Sequence, residues 1–240
     1  MAISITTRYA AFATHLAISI LILLVMLAVI FFYWFPAELI YAGGIEGLKI
    51  LIGVDLVLGP VLTLIVFDRA KKSLKFDLTM IGVLQISCLL AGLWLIYNER
   101  PIAQVIADDG VHLHASARFK AYEVEPIEWP GRTPYYIYLE LPSDASEVQS
   151  LAITSEFIDG TPLSLRTDLF QSMETVSEAQ FKARVELIRT ISGADLTSTL
   201  DALPQRADCH WLPVISIHVD GFACTSYRNG VVELSDKKIF

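Results

Sequence analysis

Three long apolar runs fill the first 97 residues of this 240-residue chain, and they restrict its folding more than any other feature. Without water nearby, backbone N–H and C=O groups must be satisfied within the segment, so a run of about 20 apolar residues reads as a helix crossing a bilayer. The first, FATHLAISILILLVMLAVIFFYWF, covers about 12–35 and ends in Tyr33, Trp34 and Phe35, an interfacial aromatic belt, with Pro36 as a stop. The second covers about 46–67. The third, LTMIGVLQISCLLAGLWLIY, covers about 78–97 and carries Trp94 and Tyr97 at one end. A cleaved leader is the rival reading of the first run, and three things oppose it: the run is too long, no A-x-A-like site follows, and only Arg8 precedes it.

Charge divides the chain at the same place. Of its 26 Asp and Glu residues, five (38, 46, 55, 68, 77) precede Asn98, which leaves 21 in the C-terminal part against 12 Lys and Arg. That part is acidic enough to disfavour nucleic acid as a partner. The segment 68–77 carries Arg69, Lys71, Lys72 and Lys75, whereas the loop after the first run has no Lys or Arg. The positive-inside rule then puts 68–77 and the N-terminus in the cytoplasm of a bacterial inner-membrane protein, and everything after Asn98 in the periplasm. The expected organisation is a three-span domain over 1–97 in contact with membrane lipid, followed by a periplasmic α+β domain over 98–240.

In that second part PIAQVIA, VHLHA, FKAYEV and PYYIYLEL read as strands, as do WLPVISIHV, GFACTSY and GVVELSD near the end. Asp220-Gly221 and Asn229-Gly230 supply hairpin turns. DASEVQSLAITSEF and VSEAQFKARVELIRTI have helical period, the latter with Ser177 and Gln180 as a capping box. Arg100 and Pro101 mark the joint, where Arg snorkels to the interface and Pro ends the helix. Cys88 lies in the third run, and Cys209 with Cys224 reads as one disulfide in an oxidising compartment, the alternative being two buried thiols.

The anomaly is GVDLVLGP at 53–60, where a carboxylate and a helix-breaking Gly-Pro pair sit inside an apolar run. A charge near the bilayer centre costs at least about 3 kcal/mol, so Asp55 needs a partner, a proton or water. An intramembrane aspartyl protease would need a second deep carboxylate, and Asp68 and Asp77 lie at the cytoplasmic edge. By length along the helices, Asp55 lies about 18 Å in from Phe67 and Gln85 about 10 Å in from Leu78, more than a helical turn apart, while His15 stays near the cytoplasmic face. Gly53, Asp55, Gly59 and Pro60 therefore read as a contact face for another protein's helix, the alternative being packing of the chain's own spans. His112, His114 and His210 have no specific zinc spacing, and no nucleophile elbow or phosphate loop is present. No catalytic residue, metal or cofactor is expected.

FATHLAISILI with His15, GVDLVLGPVLTLIVF, LKFDLTMIGVLQ and ERPIAQVI together resemble the type IV pilin accessory family of the TfpX/TfpZ type over roughly the first 107 residues. The resemblance implies a non-enzymatic, chaperone-like inner-membrane protein that supports a cognate type IV pilin in pilus assembly, with other pilus assembly proteins as further partners. It carries over His15, Gly53, Asp55, Gly59, Pro60, Gln85, Arg100 and Pro101 without assigning roles, and it loosens after Arg100-Pro101. A pilin awaiting assembly has one apolar helix and an external head, and this chain has an element for each. The competing expectation is a membrane-anchored periplasmic sensor or scaffold.

Overall fold

The computed structural model describes residues 7–35, 37–142 and 144–235. Pro36, the expected stop of the first run, and Asp236, the end of the last expected strand, lie outside them. The chain divides into two units, one of residues 1–36 and 43–98, the other of 37–42 and 99–240.

The first unit holds three helices long and apolar enough to cross a membrane. Helix α1 (Arg8–Val29) is capped by Thr7, whose side chain accepts from the Ala10 N–H at 3.1 Å, and it continues as a π-helical stretch over Ile30–Trp34. The second apolar helix is α2 (Gly44–Ile52), a π-helical stretch over Gly53–Leu58, and α3 (Gly59–Val66). Gly59-Pro60 was expected to break this ladder. Instead the widened turn carries the helix through, with the Gly59 N–H bonded to the Val54 carbonyl, so the donor missing at Pro60 is absorbed without a break. The third is α4 (Leu74–Glu99), whose Tyr97 ring meets Trp34 edge-on with centroids 5.2 Å apart. The expected 68–77 loop is therefore shorter, because the third helix starts at Leu74.

The second unit is a curled, mixed seven-stranded sheet: β1 (Pro101–Ile106), β2 (Val111–Ala115), β3 (Tyr135–Leu139), β4 (Phe170–Ser172), β5 (His210–Ile215), β6 (Asp220–Ser226) and β7 (Gly230–Ser235), in the order β4-β3-β1-β2-β5-β6-β7. β1 runs parallel to β3 and β2 parallel to β5, and the remaining pairs are antiparallel. Every residue of β1 is buried, because both sheet faces are covered. One face packs Phe181, Val185 and Ile188 of a helix over Glu178–Ile191 against Ile106, Leu212 and Ala223, together with Leu39 and Ala42 from the segment that connects the first two apolar helices. The other face packs Val105 and Ile137 against Phe119, Leu163 and Leu165.

In chain order the remaining helices are α5 (Ser116–Ala121), α6 (Ala145–Ile153), α7 (Glu178–Ile191) and α8 (Gly193–Asp201). Asp144 caps α6 through the N–H groups of Ser146 and Glu147, and the expected capping box of Ser177 and Gln180 opens α7. FKAYEV, expected as a strand, instead supplies the end of α5. Glu123 turns into the left-handed region at φ 56°, and the Val124 N–H closes back on the Phe119 carbonyl at 2.9 Å. Asp220 pairs with Ile215 as the first residue of β6, so the β5–β6 turn is 216–219 and not Asp220-Gly221. Cys209, just before β5, and Cys224 of β6 form a disulfide, with Cα atoms 5.4 Å apart, in a core with Leu200, Trp211 and Phe222.

Candidate functional site

Buried polar side chains inside an apolar bundle are the exception that asks for a reason. In the first unit Ser19, Asp55 and Thr63 are buried at 3–4% exposure, and half-buried His15 and Gln85 join them. Depth explains the meeting. From Arg8 to Ser19, from Val66 back to Asp55, and from Leu74 to Gln85 is eleven residues each, about 16 Å of helix, so all three stand level. Sequence counting had set Gln85 more than a turn away because it began the third helix at residue 78 and not at Leu74.

The contacts run helix to helix. His15 Nε2 donates to Gln85 Oε1 at 2.7 Å, because an amide oxygen can only accept, and His15 Nδ1 lies 2.6 Å from Thr63 Oγ1. The Thr63 hydroxyl bonds back to the Gly59 carbonyl at 3.1 Å. The two N–H bonds of the Gln85 amide go to Ser19 Oγ and to the Asp55 backbone carbonyl, both at 3.2 Å. A Cβ on Gly59 would fall 2.5–2.6 Å from the Gln85 amide, so glycine is what lets that amide approach.

The consequence falls on the Asp55 carboxylate. Neither of its oxygens has a hydrogen-bond partner among the described residues, since the adjacent Gln85 amide has spent its donors elsewhere. Beside it is a cavity of about 190 Å³, walled by Ile18, Ser19 and Ile22 of the first helix and by Gly82, Ile86 and Leu89 of the third. Asp55 is the second helix's contribution to that lining.

Of the residues singled out in the sequence, the structure brings His15, Asp55, Gly59 and Gln85 together. Gly59 and Pro60, expected on a face open to another protein's helix, are buried among the chain's own helices because Gln85 packs against that turn. Gly53 is exposed, with nothing within 4 Å of a Cβ placed on it. Arg100 is a half-buried bend, and Pro101 is the buried first residue of β1. Ser19 and Thr63 were missed, although each lies four residues from a residue already named, His15 and Gly59, and so on the same helix face.

A second polar site lies in the other unit, a cavity of about 550 Å³ lined by Asp109, His112, His114, Arg118 and Ser164 among others. His112 Nε2 bonds to Asp109 at 2.7 Å and His114 Nε2 to Ser164 Oγ at 3.1 Å. Burial, reinforced by His112 and Arg118, pushes the His114 imidazole down to about 3, so it is neutral in the folded unit at pH 7. The Arg118 guanidinium stacks on Tyr122 at 4.8 Å.

Comparison with known proteins places the chain beside three fimbrial assembly proteins of Dichelobacter nodosus. It is 32% identical over 102 residues to the protein of serogroup E1, a match covering 41% of this chain and 40% of that protein. It is 31% identical over 102 residues to the protein of serogroups C1 and C2, covering 41% of this chain and 78% of that one. The serogroup I protein is also 31% identical, with 40% of its length matched. The chain thus spans well under half of two of these relatives. No protein-family model and no solved structure matches it.

Proposed function

This chain belongs to the fimbrial assembly proteins, and from that premise we propose that it is a non-catalytic, chaperone-like accessory factor that holds a cognate type IV pilin in the inner membrane before assembly. The observation that carries the reading is the family match combined with a bundle whose buried carboxylate is left without a partner among the described residues. A bundle that only anchored the chain would gain nothing from Asp55, which costs free energy in an apolar setting. The orientation proposed is cytoplasmic for 67–73 and periplasmic for the sheet unit. Three features support it: the Lys and Arg residues of that loop, the disulfide, and the inclusion of 37–42 in the same unit as the sheet.

Deleting the chain from a piliated cell is expected to lower pilin level and surface pili together, read by immunoblot and by pilus shearing. Unchanged amounts of both would remove the reading.

The 550 Å³ cavity favours a second reading, a membrane-anchored periplasmic sensor or scaffold whose ligand binds in the sheet unit. Exchanging the three apolar helices for an unrelated three-helix anchor, with 37–42 retained, separates the two. Loss of pilus assembly supports the accessory reading, and full retention supports the scaffold.

A further inference from the structure

We propose that the cavity between the first and third apolar helices receives a single hydrogen-bond donor, an N–H or O–H group carried on the apolar helix of the pilin, and that Asp55 accepts it. The proposal rests on the accessory reading above and specifies its point of contact.

Four observations converge on that cavity. Asp55 is 4% exposed and both carboxylate oxygens lack a partner among the described residues, while His15, Thr63, Ser19 and the Gln85 amide are engaged with one another or with backbone carbonyls. The carboxylate thus receives no donor from the side chains that surround it, and in this proposal the pilin supplies one. At about 190 Å³ the space admits one side-chain end and not a helix about 10 Å across, so the rest of the occupant lies over the mouth.

The mouth itself suits an apolar helix. Ile18 and Ile86, on opposite walls, are 52% and 60% exposed. Between them Gly82 leaves the third helix's wall low, with nothing within 4 Å of a Cβ built there. Small residues at such a point let a neighbouring backbone come close. Among the described residues no three His, Cys, Asp or Glu stand together, so the lining does not offer a metal ion a ligand set. The face expected from sequence, Gly53 with Gly59 and Pro60, is thereby replaced by one running through Gly82 and Asp55.

Photo-crosslinking in the full-length protein, in membranes of cells that make the pilin, tests the assignment. A photoreactive residue in place of Ile18 or Ile86 is expected to cross-link the pilin at least tenfold more than one in place of Ile65, which is 70% exposed and outside the cavity. Gly82→Leu puts a side chain into the space, its Cβ meeting nothing within 4 Å, and Asp55→Leu removes both acceptors. Each is expected to cut the cross-link at least tenfold, and Asp55→Asn, which keeps one acceptor oxygen, to cut it less. Wild-type membrane levels and an intact Cys209–Cys224 bond show that a variant has folded.

Cross-links unchanged in Asp55→Leu, or arising from position 65 alone, would overturn the cavity assignment and leave the pilin reading standing. Cross-links from 18 and 86 only to a second copy of the chain would assign the cavity to self-association and overturn the proposal. No pilin cross-link from any position, together with normal pili when the chain is deleted, would remove the pilin reading itself.

Discussion

Asp55 and Arg184 are both buried charges, 4% and 5% exposed, and the protein treats them in opposite ways. Arg184, on α7, gives Nη2 to the Tyr138 hydroxyl and to the Leu139 carbonyl, both at 3.2 Å, and lies over the Tyr138 ring at 4.8 Å, while its buried Nη1 has no partner among the described residues. Its charge is spread over partners on β3, so it ties the helix to the sheet. Asp55 has neighbours able to serve it, but they bond to one another and leave both its buried oxygens without a partner among the described residues, beside a cavity. A buried charge with partners ties elements together, whereas one without them carries a desolvation cost that nothing around it offsets.

The contrast predicts opposite signs. Asp55→Leu is expected to stabilise the isolated protein in detergent by about 1–4 kcal/mol while abolishing pilin capture, because an apolar side chain removes a desolvation cost that only the partner offsets. Arg184→Ala is expected to destabilise the sheet unit by about 2–4 kcal/mol with capture per folded molecule unchanged. Thermal midpoints and pilin co-purification measure both, and a stability loss in Asp55→Leu would break the comparison.

Next in size is the disulfide. Cys209 and Cys224, fifteen residues apart, close a loop worth about 3 kcal/mol in the chain-entropy picture, so replacing both by Ser should lower the sheet unit's melting point. The apolar helices should be unaffected, and a matching shift in both units would show that they do not unfold separately.

The smallest effect sharpens the comparison with a third buried group. The His114 imidazole is held at about 3 against an ordinary 6.5, so between those values the unfolded chain binds a proton that the folded chain refuses. Stability is therefore fully present above pH 6.5 and declines as pH falls through that window, by about 1 kcal/mol between pH 7 and 5.5. His114→Gln should flatten that slope, and an identical slope would place the acid sensitivity elsewhere.

How much was legible in the sequence follows from what each element is made of. The apolar helices were visible because length and hydrophobicity alone define them, and so was α7, whose Phe181, Val185 and Ile188 repeat along one face and whose Ser177 caps its start. Their ends were less visible: starting the third helix at Leu78 and not at Leu74 was enough to hide the Gln85 contact to Asp55. α8 escaped because LTSTLD has weak helix propensity and is held by tertiary bonds, such as Thr197 Oγ1 to the Arg189 carbonyl at 3.0 Å. β4 is three residues long, too short to show a period. At the candidate site Asp55 announced itself by its cost, whereas Ser19 and Thr63 are ordinary in apolar helices and gain meaning only from what they touch.

The segment 37–42 ties the order of synthesis to the order of folding. Leu39 and Ala42 leave the ribosome before the second apolar helix exists, yet their places in the core are made by β1, β2, β5, β6, β7 and α7, all translated later. The sheet unit therefore cannot close when its own strands are complete unless that early loop has already reached the same compartment. A chain that began at Glu99 would carry every strand and still fold around a gap.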